Sequence, residues 1–335
     1  MKRLTLIIVI GLLLLLNMQL FGQQQKLAQA GMKFLQISLD ARASALANSV
    51  TSIENNSTAM FYNPASMARI PRTLDVSAGQ VNWIADIDYV YGSIAVKPAR
   101  GHYGTIGVSV VGVSYGIFRG THIADNDLGY VDTGNFSPDA FLLGLGYAKA
   151  LTDKFSIGGN AKYVHQNLGS VAETLYDRGA IGSKKYSKSV YAFDFGILYH
   201  TGYKSLNFGM CVRNFSEEVE YIEEGFQLPL TFRVGVSMNV LDIWNVSPAT
   251  HAFQFSVDAV HNRDYDEQVA LGGEYLWNKI LALRAGYIFP TDEEGLSLGI
   301  GLLTEMNESI LAVDYSYTSF GIFDDVQRLT LRLAL

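Results

Sequence analysis

The residues of this sequence that could do chemistry are ionisable side chains placed at alternate positions within otherwise apolar segments. Asp194, Arg233, Asp258, Arg284, Asp314, Arg328 and Arg332 each sit one residue out of phase with apolar neighbours. In an extended chain, successive side chains point to opposite faces. These charges therefore share the face turned away from the apolar one. Carboxylates and guanidiniums spread over such a luminal wall can pair across an enclosed interior, whereas on a lipid-facing wall each is strongly destabilising. A second charged group, Glu217, Glu218, Glu220, Glu223 and Glu224, is interleaved with Tyr221, Ile222 and Phe226. Acidic groups steer a basic partner and apolar side chains anchor it, so this stretch is the candidate partner-binding loop.

Catalytic and cofactor signatures are missing. There is no HExxH, phosphate-binding loop, dinucleotide fingerprint, GxSxG or cysteine cluster. Asp125-Asn126-Asp127 begins like a calcium loop but lacks glycine and glutamate at the required offsets. The single cysteine, Cys211, excludes an internal disulfide and reads as a packed, inert thiol. A net charge of −7 without a basic stripe excludes nucleic acid as a partner. The expectation is a non-enzymatic protein with no metal and no cofactor.

The elements that position the charges are strands. In residues 326–335, Leu329, Leu331, Leu333 and Leu335 fall on one side, and Arg328, Thr330, Arg332 and Ala334 on the other. The same period of two recurs back to Thr73, which predicts an all-β fold: a transmembrane antiparallel β-barrel of about fourteen strands. Three long polar connections, 117–138, 167–189 and 214–228, are the third, fifth and seventh in order, so all project from one rim. Outer-membrane barrels put long loops outside and short turns in the periplasm. That arrangement implies the bacterial outer membrane, with both termini periplasmic. Aromatics near strand ends, among them Tyr89, Tyr91, Tyr147, Trp277 and Tyr287, are expected in interfacial girdles.

Residues 1–22 have the composition of a secretory signal peptide, with Lys2 and Arg3 ahead of an apolar run. Residues 23–72 are too polar for lipid and too few for a separate domain, so they are expected to plug the lumen of a barrel spanning residues 73–335. Within the plug, Arg42 and Glu54 are the residues expected to pair with the inward charges. Glycines such as Gly107 and Gly158 either kink the wall or seat the plug against it, the second being favoured.

The plug also carries a resemblance. Gly31-Met32-Lys33-Phe34-Leu35, then Asp40-Ala41-Arg42-Ala43, then Asn63-Pro64-Ala65 resemble the opening of the PorV/PorQ family of outer-membrane barrels. Asp314-Tyr315-Ser316-Tyr317, Phe320-Gly321 and Gln327-Arg328 resemble its closing hairpin. The sequence departs from the family pattern at Asp40, Tyr62 and Ser66. The resemblance implies a barrel of the type IX secretion system surrounded by outer-membrane lipid and lipopolysaccharide. Its partners would be a translocon barrel, secreted cargo or an attachment-complex component. That family is itself similar to the FadL transporter barrels. The alternative function is accordingly uptake of lipophilic small molecules, which requires an apolar path beside the plug.

Overall fold

The computed structural model describes residues 30–53, 56–174, 181–248, 250–306 and 309–335. The signal segment 1–22 and Glu54 lie outside the described residues. In chain order the first nine strands are β1 (Leu74–Asn82), β2 (Asp88–Val96), β3 (Thr105–Ser114), β4 (Phe118–Ile123), β5 (Tyr130–Phe136), β6 (Asp139–Ala150), β7 (Phe155–Thr174), β8 (Ile181–His200) and β9 (Asn207–Ser216). The rest are β10 (Val219–Glu220), β11 (Gly225–Phe226), β12 (Thr231–Asn239), β13 (His251–Asn262), β14 (Gln268–Trp277), β15 (Leu281–Phe289), β16 (Ser297–Met306), β17 (Ser309–Thr318) and β18 (Val326–Ala334). Fourteen of them close into one barrel, ordered β1-β2-β3-β6-β7-β8-β9-β12-β13-β14-β15-β16-β17-β18 and back to β1. Every ladder in that ring is antiparallel, as the alternation predicts.

Closure leaves no unpaired strand edge to face hydrocarbon. At the seam β1 meets β18 from Asp75↔Ala334 to Asn82↔Gln327. Leu74 and Leu335 then exchange two backbone hydrogen bonds of 2.9 and 2.8 Å. Alternate side chains form the outer apolar band, such as Ile106, Val108 and Val110 on β3 or Leu329, Leu331 and Leu333 on β18, all exposed. The inward positions between them are small, polar or charged and buried, for example Ser77, Ser93, Ser109 and Ser256.

Two sequence expectations need correction. The stretch 167–189 is not an irregular loop: β7 and β8 continue past the barrel rim as one tall hairpin, with a register shift between Asn167 and Ser170. Its alternation was masked because neither face there is apolar. The other two long connections carry the small ladders β4/β5 and β10/β11. Tyr89 and Tyr91 do not join a girdle; both are buried in the lumen. Tyr91 meets the Phe61 ring edge-on at 5.6 Å, so the N-terminal segment supplies the apolar surroundings that lipid would otherwise give.

That segment fills the lumen with short, capped turns. A five-residue helix, Ala41–Ala45, begins at Asp40, whose carboxylate accepts from the Ala43 N–H at 3.2 Å. Asn56 and Asn63 cap the 3-10 turns Ser57–Phe61 and Pro64–Arg69 in the same way. The helix packs on β15 to β18, and Pro64–Arg69 packs on β6, β7 and β8. Glycine makes this approach possible: a Cβ at Gly107 would sit 2.5 Å from the Met60 sulfur, and one at Gly158 2.5 Å from the Ala65 nitrogen.

Candidate functional site

The luminal charges sort into a paired set and an unpaired set. On the paired side, Arg42 grips Glu274 through Nε and Nη2 at 2.8 and 2.7 Å. Arg284 donates to the same carboxylate at 2.5 Å and to Asp314 at 2.6 Å. One plug residue thereby joins three strands, since Glu274, Arg284 and Asp314 are cross-strand neighbours on β14, β15 and β17 or one strand removed. Asp194 meets Lys162 at 2.6 Å and accepts the Asn214 N–H at 2.8 Å. Arg332 pairs with Asp75 at 2.8 Å, and Asp75 also accepts the Ser57 N–H at 2.8 Å. Asp258 accepts the Thr51 N–H at 3.1 Å. Most of the wall charges named from sequence thus hold the plug or each other.

Sequence reasoning missed Glu274, Lys162, Asp75 and Arg213. All four have the inward parity on their strands and were findable, Arg213 being two residues from inward Cys211. Between Phe193↔Phe215 and Phe195↔Val212 the β8/β9 ladder shifts by one residue, and Asn214 adopts φ +61°. Arg213 is inward by the ordinary alternation, and the bulge turns Asn214 inward beside it, which breaks the alternation at that point.

At the rim that bears the long hairpins, a cavity of about 440 Å³ opens between the plug and the connections 83–87, 263–267, 290–296 and 319–325. Arg213, Arg233 and Arg328 line it together with Trp83, Ile84, Ile37, Phe320 and Phe323. Arg213 donates to the Leu35 carbonyl at 3.2 Å, Arg233 to Asn48 at 2.8 Å and Arg328 to Ser38 at 2.8 Å. Lys33, also at this mouth, is taken by Asp264. Burial pushes the Glu294 carboxyl above its usual range, with Arg328 and Arg233 pulling it back down.

Beneath the mouth lies a narrow apolar chamber of about 20 Å³, bounded by Phe34, Leu35, Leu39, Met60, Phe61, Val111 and Leu142, with Lys162, Asp194 and Arg213 at its edge. Ile37 and Arg213 line both cavities. Of the plug residues named from sequence, Phe34 and Leu35 line this chamber and Gly31, Arg42, Asn63 and Pro64 do not. Gly31 donates its N–H to the Gln227 carbonyl at 3.1 Å, while Phe34 and Leu35 wall the chamber. Asn63 donates to the Thr51 and Ile197 carbonyls at 2.7 and 3.0 Å, and Pro64 opens the turn seated against β7.

The acidic loop folds back on the plug and on β7. Tyr221 stacks on Phe226 with ring centroids 5.5 Å apart and donates to Gln166 at 3.1 Å. Burial pushes the Tyr221 phenol up to about 12. Phe226 lies against Gly31, and Val219 and Leu228 are buried. Glu217, Glu218, Glu220, Ile222, Glu223 and Glu224 remain exposed. Two of the aromatic anchors expected for a partner are therefore spent on closing the barrel.

No protein-family model and no curated protein sequence matches the chain. In fold it is similar to the toluene transporter TodX of Pseudomonas putida: TM-score 0.58, 11% identity, covering 89% of this chain and 97% of that one. It is also similar to the monoaromatic hydrocarbon channel CymD (TM-score 0.54, 10% identity, 88% and 96% covered). A FadL homologue of Pseudomonas aeruginosa gives TM-score 0.53 and 12% identity, with 89% and 98% covered. The chain is an outer-membrane β-barrel whose last strand, β18, ends at the rim opposite the long hairpins.

These likenesses overturn the PorV/PorQ reading and, with it, the type IX secretion role and its partners: translocon barrel, secreted cargo and attachment-complex component. The physical reason is visible in the residues that carried it. Small side chains, an aspartate cap and Asn-Pro are what a tightly packed luminal plug requires, whatever the barrel handles. Among the described residues, no group of His, Cys, Asp or Glu side chains could hold a metal ion.

Proposed function

We propose that this protein is an outer-membrane uptake channel for lipophilic small molecules. The observation that carries the reading is the sharing of Ile37 and Arg213 between the outer cavity and the apolar chamber. The two cavities are therefore neighbours, parted by these side chains, and their movement would open a route from the outer rim to the pocket between plug and wall. Charge is confined to the edge of that pocket, and its apolar lining favours partition of a hydrocarbon body out of water. The bulge at Asp194 and Asn214 lies beside it, where the strand ladder is already interrupted. With only about 20 Å³ free, the chamber admits a solute when the Phe34–Leu35 turn moves aside. The toluene and monoaromatic channels that share the fold support the same reading.

The test is influx of an apolar fluorescent dye, N-phenyl-1-naphthylamine, into cells carrying the protein. Leu142→Arg fills the chamber with a charged side chain and should reduce influx to that of cells lacking the barrel. Heat-modifiable migration on a gel controls for folding. Equal influx with and without the wild-type protein would overturn the reading.

A further inference from the structure

At the rim opposite the long hairpins, the apolar stripe of one strand runs on past the strand itself. β12 turns Phe232, Val234, Val236 and Met238 outward and Asn239 inward. The chain then enters the 3-10 turn Val240–Trp244, where the Asn239 side chain accepts from the Leu241 N–H. The repeat changes there from two residues to three, so positions three apart share a face. Asn239 and Asp242 stay on the inward side, joined by a 2.7 Å hydrogen bond from the Asn239 amide to the Asp242 carboxylate. Val240 and Ile243 stay on the outward side and carry the lipid-facing stripe one turn further. Ile243 is 52% exposed and Trp244 beside it 66%. In water both would forgo their apolar burial. At a membrane interface an indole buries its ring and keeps its N–H wet.

The neighbouring turn, 201–206, is fastened alongside. Ser205 accepts the Asn239 N–H at 2.9 Å, and Lys204 donates to Asn245 at 3.0 Å. Tyr203, in the same turn, is 64% exposed. From the turn 151–154, Lys154 brings its ammonium over Gly202, where a Cβ would lie 2.7 Å from the Nζ. Arg69 adds a third cation, donating to the Thr152 and Asp153 carbonyls at 2.8 Å each. Two carboxylates, Asp153 and Asp242, belong to the same turns, and Asp242 faces inward to Asn239. This sector is thus positive at the end of the wall, in a chain whose net charge is −7.

We propose that these turns dock an anionic phospholipid of the periplasmic leaflet. Ile243 and Trp244 enter the acyl region beside β12, and Lys154 and Lys204 meet the phosphate from the periplasmic side. The occupant is lipid rather than a periplasmic protein because the apolar face continues a wall already in contact with hydrocarbon. Its cations flank that face where headgroup phosphates lie, and basic side chains at a membrane surface attract anionic lipid. Such a site is independent of what the lumen carries.

The full chain with Trp83→Phe and Trp277→Phe keeps Trp244 as its sole tryptophan. It is reconstituted into phosphatidylcholine vesicles holding a minor share of phosphatidylglycerol, with brominated acyl chains on one lipid or the other. Both lipids should quench Trp244 fluorescence. Molecule for molecule, phosphatidylglycerol should quench about 5-fold more strongly, and added salt should shrink the difference. Lys154→Gln combined with Lys204→Gln should remove the preference and leave quenching by phosphatidylcholine intact. Heat-modifiable migration checks folding. If the double phenylalanine variant does not fold, the difference between wild type and Trp244→Phe gives the same quantity. Any of three results would overturn the proposal: no quenching by either lipid, which puts Trp244 in the periplasm; equal quenching per molecule with both lysines present; or a preference that survives in the double glutamine variant.

Discussion

Two clusters of arginine occupy the same lumen and are built in opposite ways. Around Arg42 and Arg284, two cations face two carboxylates, Glu274 and Asp314, within 2.8 Å. Around Arg213, Arg233 and Arg328, three cations face backbone carbonyls and open cavity. The first arrangement fixes the plug to the wall by direct ion pairs; the second shares its cavity with Asp292, Glu293 and Glu294 but makes no ion pair with them among the described residues. Residue type is thus no guide to role here. What separates the two clusters is whether the opposite charge is in contact or across open space.

The largest expected effect comes from breaking the anchor. Glu274→Ala leaves Arg42 without its carboxylate and Arg284 with Asp314 alone, and should destabilise the barrel by about 3–5 kcal/mol. Urea unfolding in micelles, followed by heat-modifiable migration, measures it. Arg42→Ala is milder because Arg284 still holds Glu274; a loss of about 1–3 kcal/mol is expected, with easier proteolysis of the plug. Native-like protease resistance in this variant would show that the plug is held by packing alone.

The comparison is sharpened by giving the mouth a carboxylate on the plug side, next to Arg233. Asn48 lines the cavity, has φ +61°, and accepts from Arg233 through its carbonyl. Aspartate tolerates that conformation, so Asn48→Asp should raise stability by about 1 kcal/mol, read by urea unfolding in micelles. The smallest effect belongs to Arg213→Met, which removes a buried positive charge and one bond to a carbonyl. Its stability should stay within about 1 kcal/mol of wild type, since the two losses oppose each other. A large loss would mean that Arg213 is a structural anchor after all.

The wall was legible in the sequence because lipid imposes a strict rule on every second side chain. Leu329, Leu331 and Leu333 obey it, and so do Tyr191, Phe193 and Phe195. Legibility failed where lipid stopped ruling. Above the membrane, β7 and β8 keep their ladder without an apolar face. Inside the lumen, Tyr89 and Tyr91 look like girdle residues because their greasy neighbours lie on the plug, far away in sequence. Asn214 was hidden by a bulge. Which arginines are paired was unreadable for a similar reason: Arg42 reaches Glu274 across 232 positions. The plug itself was suggested by composition, but its likeness to one secretion family reflected shared packing needs rather than shared cargo.

The way the plug divides its contacts has a mechanical side. Its helix Ala41–Ala45 rests on β15 to β18, and its turn Pro64–Arg69 rests on β6 to β8, which stand across the ring from one another. A hollow cylinder squeezed by its surroundings yields most easily by flattening into an oval. A strut that bears on opposite walls resists that mode, much as a spoke keeps a rim round. The cross-section of the barrel is therefore set from within, and lateral pressure from the membrane is carried by the plug rather than by the mouth. The ring can hold its shape while the Phe34–Leu35 turn, near one end of the strut, is free to give way.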